Sequence, residues 1–127
     1  MPLAIATAHL ARGNSRITAG QALDLAREVS ALGVVFLGGD LNAPSDSPAL
    51  QSLTSAGFAD LLPGGIDHAL AARGTWCVER AAWSMTPDEL GAWTGDRSPV
   101  SDHPAIVVEL REARPGAACD DIGFGEP

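Results

Sequence analysis

The sequence predicts an α/β domain that begins with a strand, a helix and a second strand. Residues 3–9 form a short apolar segment typical of a buried strand. Residues 34–37 are a continuous apolar run of the kind that is buried on both faces of a sheet. Between these segments, apolar side chains repeat at helical intervals at Ala22, Leu25, Ala26, Val29 and Leu32. A crossover unit with a parallel strand pair is therefore expected.

The limits of these elements are predicted from capping and turn residues. Thr18 and Gln21 have the spacing of a capping box, which predicts the start of the first helix there. Gly33 is expected to end that helix, because glycine favours the left-handed conformation that follows a helix. Gly38 and Gly39 are expected to end the second strand.

The rest of the chain is predicted to alternate between one short helix and three strands. Ser47 and Pro48 form a standard helix start and Gly57 a stop, with Leu50, Leu53 and Thr54 on the inner face. Irregular structure is expected over 58–62. The predicted strands begin near Ile66 and cover 75–80 and 105–110, with little regularity between the last two.

Composition limits the classes of function. The 127 residues carry 16 acidic and 8 basic side chains, all eight of them arginine, for a net charge of -8. A negative net charge does not favour a strong basic nucleic-acid patch. A nucleic-acid substrate would therefore have to be bound at the site alone, for example through a bound metal ion. No apolar run approaches the roughly 18 residues of a membrane span, and the first residues do not resemble a signal peptide. The cellular compartment is left open. Cys77 and Cys119 are expected to be free thiols rather than a disulfide.

All three histidines lie in short blocks that also contain, or stand near, Asp and Asn. The blocks are Ala8-His9-Leu10, Gly39-Asp40-Leu41-Asn42, Ile66-Asp67-His68 and Ser101-Asp102-His103-Pro104. Each block alone has an ordinary structural explanation, since Asp and Asn favour turns. The first two blocks follow the first two predicted strands, and the last two blocks precede later predicted strands. If the later strands run antiparallel to the earlier ones, all four blocks converge on one edge of the sheets.

The side chains at that edge favour phosphoester hydrolysis. Asp40 and Asn42 are two residues apart, so an extended backbone points both the same way. Their oxygen atoms suit Mg²⁺ or Mn²⁺ better than Zn²⁺, and no pair of histidines has the spacing of a local zinc site. A carboxylate that activates water, a divalent metal ion and imidazoles that stabilise charge are the groups this reaction needs.

The order of the motifs A-H-L, G-D-L-N-A-P, I-D-H and S-D-H-P-A-I resembles the endonuclease/exonuclease/phosphatase family, which includes DNase I. The resemblance covers residues 3–110. It implies a DNase I-like four-layer α/β sandwich, with mixed sheets packed face to face and helices outside. Residues 1–110 would form the C-terminal half of such a domain. Residues 111–127, whose greater part is rich in Gly, Pro and Asp, are expected to be a disordered tail.

The resemblance also implies a role for each site residue. Asp40 would activate the attacking water, and Asn42 would hold the phosphate or a metal-bound water. His103 would contact the scissile phosphate and pair with Asp67, while His9 would be the second phosphate-facing histidine. The implied magnesium or manganese ligands are Asp40, Asn42, Asp102 and His103. His68 is expected to be structural.

The chain resembles only part of the family's domain, and this leaves two functions open. The family's metal-binding Glu belongs to the other half, and here no Glu precedes Glu28 on the solvent face of the first predicted helix. The first function is a metal-dependent phosphoester hydrolase that needs a missing N-terminal half. The alternative is a catalytically incomplete fragment or an interaction module that self-associates through an uncovered sheet face.

The substrate is not specified by the motifs. The acidic balance leaves small phosphodiesters, phospholipid headgroups and sugar phosphates as candidates. Segment 71–98 is the candidate specificity loop, although its tryptophans could equally belong to the core. These are Trp76, Trp83 and Trp93.

Overall fold

A computed structural model of the chain describes residues 3–72, 74, 76–85, 103, 105–113 and 119. The elements in chain order are β1 (Ile5–His9), α1 (Ser15–Ala31), β2 (Phe36–Asp40), α2 (Pro48–Ser55), β3 (Phe58–Asp60), β4 (Asp67–Ala72), β5 (Trp76–Met85) and β6 (Ala105–Glu112). No helix within these ranges is long and apolar enough to cross a membrane.

The strands form two sheets. The first has four strands in the order β1-β2-β4-β3, in which β1 and β2 are parallel and β4 runs antiparallel to both β2 and β3. The second consists of β5 and β6, paired antiparallel. The predicted α/β class and the parallel crossover through β1, α1 and β2 are confirmed.

The apolar side chains form two clusters, one on each face of the four-stranded sheet. The cluster on the helix side joins α1 and α2 to the sheet and includes Ala22, Val29, Leu37, Leu50, Leu53 and Leu70. The cluster on the other face joins this sheet to the second sheet and includes Phe36, Ala69, Ala71, Val78, Ile106 and Val108. The described part of the chain is therefore layered as helices, sheet and sheet.

Helix α1 starts three residues before the predicted capping box. Asn14 is the N-cap, and its side chain accepts hydrogen bonds from the backbone N–H groups of Arg16 and Ile17. Thr18 is buried, and its hydroxyl donates to the carbonyl of Ala11. The capping-box prediction was wrong because the Thr18 side chain binds the preceding loop instead of capping the helix.

Other limits also differ from the predictions. Strand β5 does not end near residue 80 but continues to Met85, paired with β6, and β2 begins at Phe36 instead of residue 34. Strand β2 continues through the glycines to Asp40, since its pairing with β1 and β4 outweighs the weak strand preference of glycine. Residues 58–60 are not irregular but form the short edge strand β3 against β4. The start of α2 at Ser47 and Pro48 is confirmed, whereas Thr54, expected on its inner face, is exposed.

Among the strand residues that the structure describes, Gly39 is the position where only glycine fits. Its φ is +146°, and a Cβ placed there would lie 2.0 Å from the carbonyl oxygen of Ala8 on β1. Any side chain would push β1 away from β2 at the point where both strands end. The close approach of these strand ends therefore depends on Gly39.

Cys77 and Cys119 form a disulfide, so the prediction of two free thiols was wrong. Cys77 is buried at the start of β5, with its Cα atom 5.2 Å from that of Cys119. Composition alone gives no information about this proximity. The bond fixes one residue of the predicted tail, and β6 extends to Glu112, into the range assigned to that tail. The other tail residues beyond 113 lie outside the described ranges, as does Trp93.

Loss of this disulfide is expected to lower the free energy of unfolding. The cysteines are separated by 42 residues. Closing a loop of that length stabilises the folded state by up to about 4 kcal/mol through the entropy of the unfolded chain. Urea unfolding of Cys119→Ser against the wild type measures the effect. Reductant should destabilise the wild type and leave the variant unchanged; equal stability of the two oxidised proteins would contradict the expectation.

Candidate active site

Three chemically active side chains lie side by side across neighbouring strands. In the strand register, His9 at the end of β1 pairs with Asp40 at the end of β2. Asp40 pairs in turn with Asp67 at the start of the antiparallel strand β4. The row exists because the carboxyl ends of β1 and β2 meet the amino end of β4. This is the convergence at one sheet edge that the strand order predicts.

The three side chains also share one face of the sheet. Neighbouring residues of a strand point to opposite faces, so Asp40 faces the same way as Phe36, and Asp67 the same way as Ala69. Phe36 and Ala69 both pack toward the second sheet. His103 lies two residues before β6 of that second sheet. The fourth residue of the site thus comes from the segment that leads into the facing sheet.

Two imidazoles flank the carboxylate of Asp40. Nε2 of His9 and Nε2 of His103 each lie 3.7 Å from Oδ2 of Asp40. The other ring nitrogen of His103, Nδ1, lies 2.5 Å from Oδ2 of Asp67. The carboxylate of Asp67 can accept a hydrogen bond from Nδ1–H of His103, which fixes the orientation of the ring. Nε2 of His103 is then directed toward Asp40.

Asn42 supports the same carboxylate from the loop after β2. It has a positive φ of 48°, and its backbone N–H donates to Oδ1 of Asp40 over 2.9 Å. Its side-chain Nδ2 donates to the carbonyl of Leu10 over 2.8 Å. The amide oxygen is therefore the atom that Asn42 has left for a ligand. Asp40 keeps Oδ2 for the same purpose.

These groups surround an open pocket of about 780 Å³. Its wall includes His9, Asp40, Asn42 and His103, together with Arg12 and Gln21. The imidazole of His9 is 77% exposed, whereas the carboxylates of Asp40 and Asp67 are only 20% and 14% exposed. A ligand in the pocket can reach both imidazoles and one oxygen of Asp40.

The donor set fits a hard divalent cation. One ligand atom from each of Asp40, Asp67 and His103 can be chosen so that all lie within 4.8 Å of one another. Mg²⁺ in proteins is commonly held by one or two carboxylates and keeps several waters. Asp102, the remaining predicted metal ligand, lies outside the described residues. The roles of all these ligands stay predictions.

The sequence profile of the Endonuclease/Exonuclease/phosphatase family matches residues 6–103. This range contains the whole row of site residues. The chain belongs to the endonuclease/exonuclease/phosphatase family. No curated protein sequence matches the chain.

A solved member of the family has a similar fold. It is an endonuclease/exonuclease/phosphatase family protein from Bacteroides thetaiotaomicron, with 16% sequence identity and a TM-score of 0.58. The match covers 82% of this chain and 48% of the other. The chain thus spans about half the length of the family protein it matches, and the shared feature is the fold.

The third histidine lies directly behind the site, on the face of β4 opposite Asp67. His68 is fully buried, with Nε2 2.7 Å from the carbonyl oxygen of Ala43 and Nδ1 3.2 Å from Oδ2 of Asp60. The hydroxyl of Ser45 donates to the same Asp60 oxygen over 2.9 Å. The loop after Asp40 is therefore fastened at Ala43 and Ser45. His68 cannot serve a metal site while both nitrogens are occupied.

Both ring nitrogens of His68 face acceptors, so the pair is satisfied when His68 is protonated and Asp60 is ionised. Burial alone lowers the pKa of His68, but hydrogen bonds to Asp60 and Ala43 and the charge of Asp60 raise it above its usual value. For Asp60 the effects have the opposite sign. Burial alone raises its pKa, but hydrogen bonds from His68 and Ser45 and the charge of His68 bring the pKa below its usual value. The sequence analysis expected His68 to be structural but did not identify Asp60 and Ser45 as the residues that hold it; their only signal was the histidine of the I-D-H motif.

The free energy of unfolding is expected to depend on pH through this pair. Asp60 stabilises the fold above its unfolded pKa of 3.8, and that contribution is lost as pH falls through its lower folded pKa. His68 stabilises the fold below its unfolded pKa of 6.5, and that contribution is lost as pH rises through its higher folded pKa. The full contribution is present between these two values. Urea unfolding across pH measures it.

The double variant Asp60→Ala/His68→Ala is the control for this pH dependence. The difference in unfolding free energy between the wild type and the double variant should be largest between pH 3.8 and 6.5. A difference that is constant on both sides of that window would contradict the ionised pair.

Proposed function

We propose that this chain contributes to a divalent-metal-dependent phosphoester hydrolase in which Asp40 activates the attacking water. The observation that carries the proposal is the position of Asp40 Oδ2, 3.7 Å from Nε2 of both His9 and His103. A carboxylate between two imidazoles provides a proton acceptor next to two groups that can donate to phosphate oxygens.

Each residue has a role in the proposed reaction that follows from its contacts. Asp40 accepts a proton from a water molecule while the oxygen of that water attacks phosphorus. The ester oxygen of the leaving group departs with the electrons of the broken P–O bond. His103 and His9 donate to the phosphate oxygens, on which negative charge grows in the transition state. Asp67 holds His103 through Nδ1 and stabilises its protonated form. The backbone N–H of Asn42 holds the carboxylate of Asp40. The amide group of Asn42 would hold the phosphate or a metal-bound water.

Asp40, Asn42 and Asp102 would hold Mg²⁺ or Mn²⁺, with Asp67 near enough to contribute. His103 would be a further ligand only in a state in which its Nε2 is unprotonated and not bound to phosphate. When bound, the ion would neutralise charge on the phosphate and lower the pKa of a water. The four-layer sandwich and the placement of this chain as its C-terminal half are part of the same proposal. The match to 48% of the solved family member's length supports the placement as one half of such a domain.

The experiment measures release of p-nitrophenol from bis-p-nitrophenyl phosphate in Mg²⁺ or Mn²⁺. The chain alone should show negligible turnover, because the Glu ligand implied by the family resemblance is absent. Addition of a separately expressed N-terminal half should restore turnover. Robust turnover by the chain alone would overturn the half-site proposal. No Asp40-dependent turnover in the combined halves would favour the interaction module.

Asp67→Asn should lower turnover by about a hundredfold in the combined enzyme, because an amide cannot stabilise a protonated His103. Asn retains the size of Asp and can still accept a hydrogen bond, so folding should be preserved. The rate against pH is the second readout, and its shape should change together with the rate. A variant with the wild-type rate and pH profile would contradict the pairing role of Asp67.

A further inference from the structure

One cationic side chain lies at the pocket without a role in the proposed hydrolysis. Arg12 follows β1 in the loop that leads to α1, and it lines the pocket together with His9, Asp40 and His103. The chain has a net charge of -8 and no lysine. A guanidinium at this position opposes the overall charge of the protein at the place where an anionic substrate would bind.

The backbone beside Arg12 is held in place by α1. The N–H of Ala11 donates to Oε1 of Gln21 over 2.7 Å, and the carbonyl of Ala11 accepts from the Thr18 hydroxyl over 2.7 Å. On the other side, Asn14 caps the helix. The residues that flank Arg12 are therefore bound to α1 on both sides. This reduces the cost of ordering its side chain when a ligand binds.

Arg12 differs from most arginines in the described ranges in having no acidic partner. Arg27 pairs with Asp24, Arg80 with Glu109 and Arg111 with Glu79. Among the residues the structure describes, no carboxylate forms an ion pair with Arg12 or with Arg16, and only Arg12 lines the active-site pocket. Its five N–H donors remain available to a ligand.

Gln21 gives the same part of the pocket a second donor. Its Oε1 is occupied by the N–H of Ala11, so the polar atom it has left is Nε2, which can only donate. A guanidinium and an amide N–H select for an anionic group. The pocket, at about 780 Å³, is within the size range that holds ligands much larger than one phosphate.

We propose that Arg12, assisted by Gln21, binds a second anionic group of the substrate beside the scissile phosphate. The substrate class is then a phosphoester that carries a further phosphate or carboxylate group. This assignment rests on the proposed function for the identity of the reacting group. The scissile phosphate itself is bound by His9 and His103, which leaves Arg12 to the second group.

The experiment is an NMR titration of the 127-residue chain, in EDTA, with methylphosphonate and with methylenediphosphonate. Neither probe can be hydrolysed, and the absence of metal prevents chelation by the diphosphonate. The wild type should bind the diphosphonate at least about tenfold more tightly, the effect of one added charge-assisted interaction. Arg12→Gln should lose that advantage and leave methylphosphonate binding within about twofold. Arg12→Lys should retain part of it, because the charge remains.

Arg16→Gln is the matched control, since it removes the same charge from an exposed arginine four residues away. It should leave both affinities unchanged. Equal weakening by Arg12→Gln and Arg16→Gln, or equal wild-type affinity for the two probes, would overturn the proposal. Binding that depends on Arg12, together with no hydrolysis of bis-p-nitrophenyl phosphate by the combined halves, would contradict the proposed function alone. Asp40-dependent hydrolysis with no effect of Arg12→Gln on binding would contradict the Arg12 assignment alone.

Discussion

Asp40→Asn is expected to lower kcat/KM for phosphodiester hydrolysis by about a thousandfold in the combined enzyme. Asparagine can accept the hydrogen bond from the N–H of Asn42, so the loop geometry is preserved. It can neither take a proton from water nor supply a negative charge between the two imidazoles. General-base catalysis alone is worth about 10²- to 10⁴-fold, and weaker metal binding adds to the loss.

The matched control is Asp46→Asn, which removes an exposed carboxylate from the same loop. It should leave kcat/KM unchanged, which excludes a general effect of lowering the negative charge. Unfolding in urea should show that both variants keep nearly the wild-type stability. Loss of a general base should lower kcat/KM by at least about a hundredfold. If kcat/KM of Asp40→Asn were within about threefold of that of Asp46→Asn, the role of Asp40 as general base would be excluded.

His68→Ala is expected to lower the free energy of unfolding by about 3 to 5 kcal/mol, the cost of leaving a buried charge without its partner. The carboxylate of Asp60 is only 12% exposed and would lose its cationic neighbour. The carbonyl of Ala43 would lose its donor as well. The loop that carries Asn42 should consequently loosen, which hydrogen exchange in that loop would detect.

A double-mutant cycle separates the ion pair from simple loss of volume. Asp60→Ala/His68→Ala should cost clearly less than the sum of the two single changes, because the double variant leaves no buried charge unpaired. His9→Ala is the control on the exposed side of the site, since its imidazole is 77% exposed and should contribute little to stability. Additive effects at residues 60 and 68 would show that the two side chains do not form an ion pair.

The site was more predictable from sequence than the details of the fold. Asp40 and Asp67 flank predicted strands, so strand direction was enough to bring them together. The register that aligns them with His9 and the close contact at Gly39 are tertiary features. They depend on packing between segments far apart in the chain, which local patterns do not contain.

The errors share a physical cause. Thr18 and Gln21 have the spacing of a capping box, but both side chains form hydrogen bonds with the backbone of Ala11 instead. Cys77 and Cys119 have no sequence feature that marks them as neighbours, and only the position of β5 relative to residue 119 brings them together. Competing long-range contacts decided each case.

The two faces of β4 give the turn before it a fixed length. Asp67 contacts His103 at the active site on one face of β4, and His68 contacts Asp60 in the buried network on the other face. The turn before β4 is bound to the loop after β2, because the N–H of Leu41 donates to the carbonyl of Ile66. Deletion of one residue from the turn would shift β4 by one position and exchange the two faces. Asp67 would then lie on the same face of β4 as the buried network, and His103 would lose its acceptor. The length of the turn is therefore more constrained than the identity of its exposed residues, apart from Gly64, whose φ of +118° favours glycine.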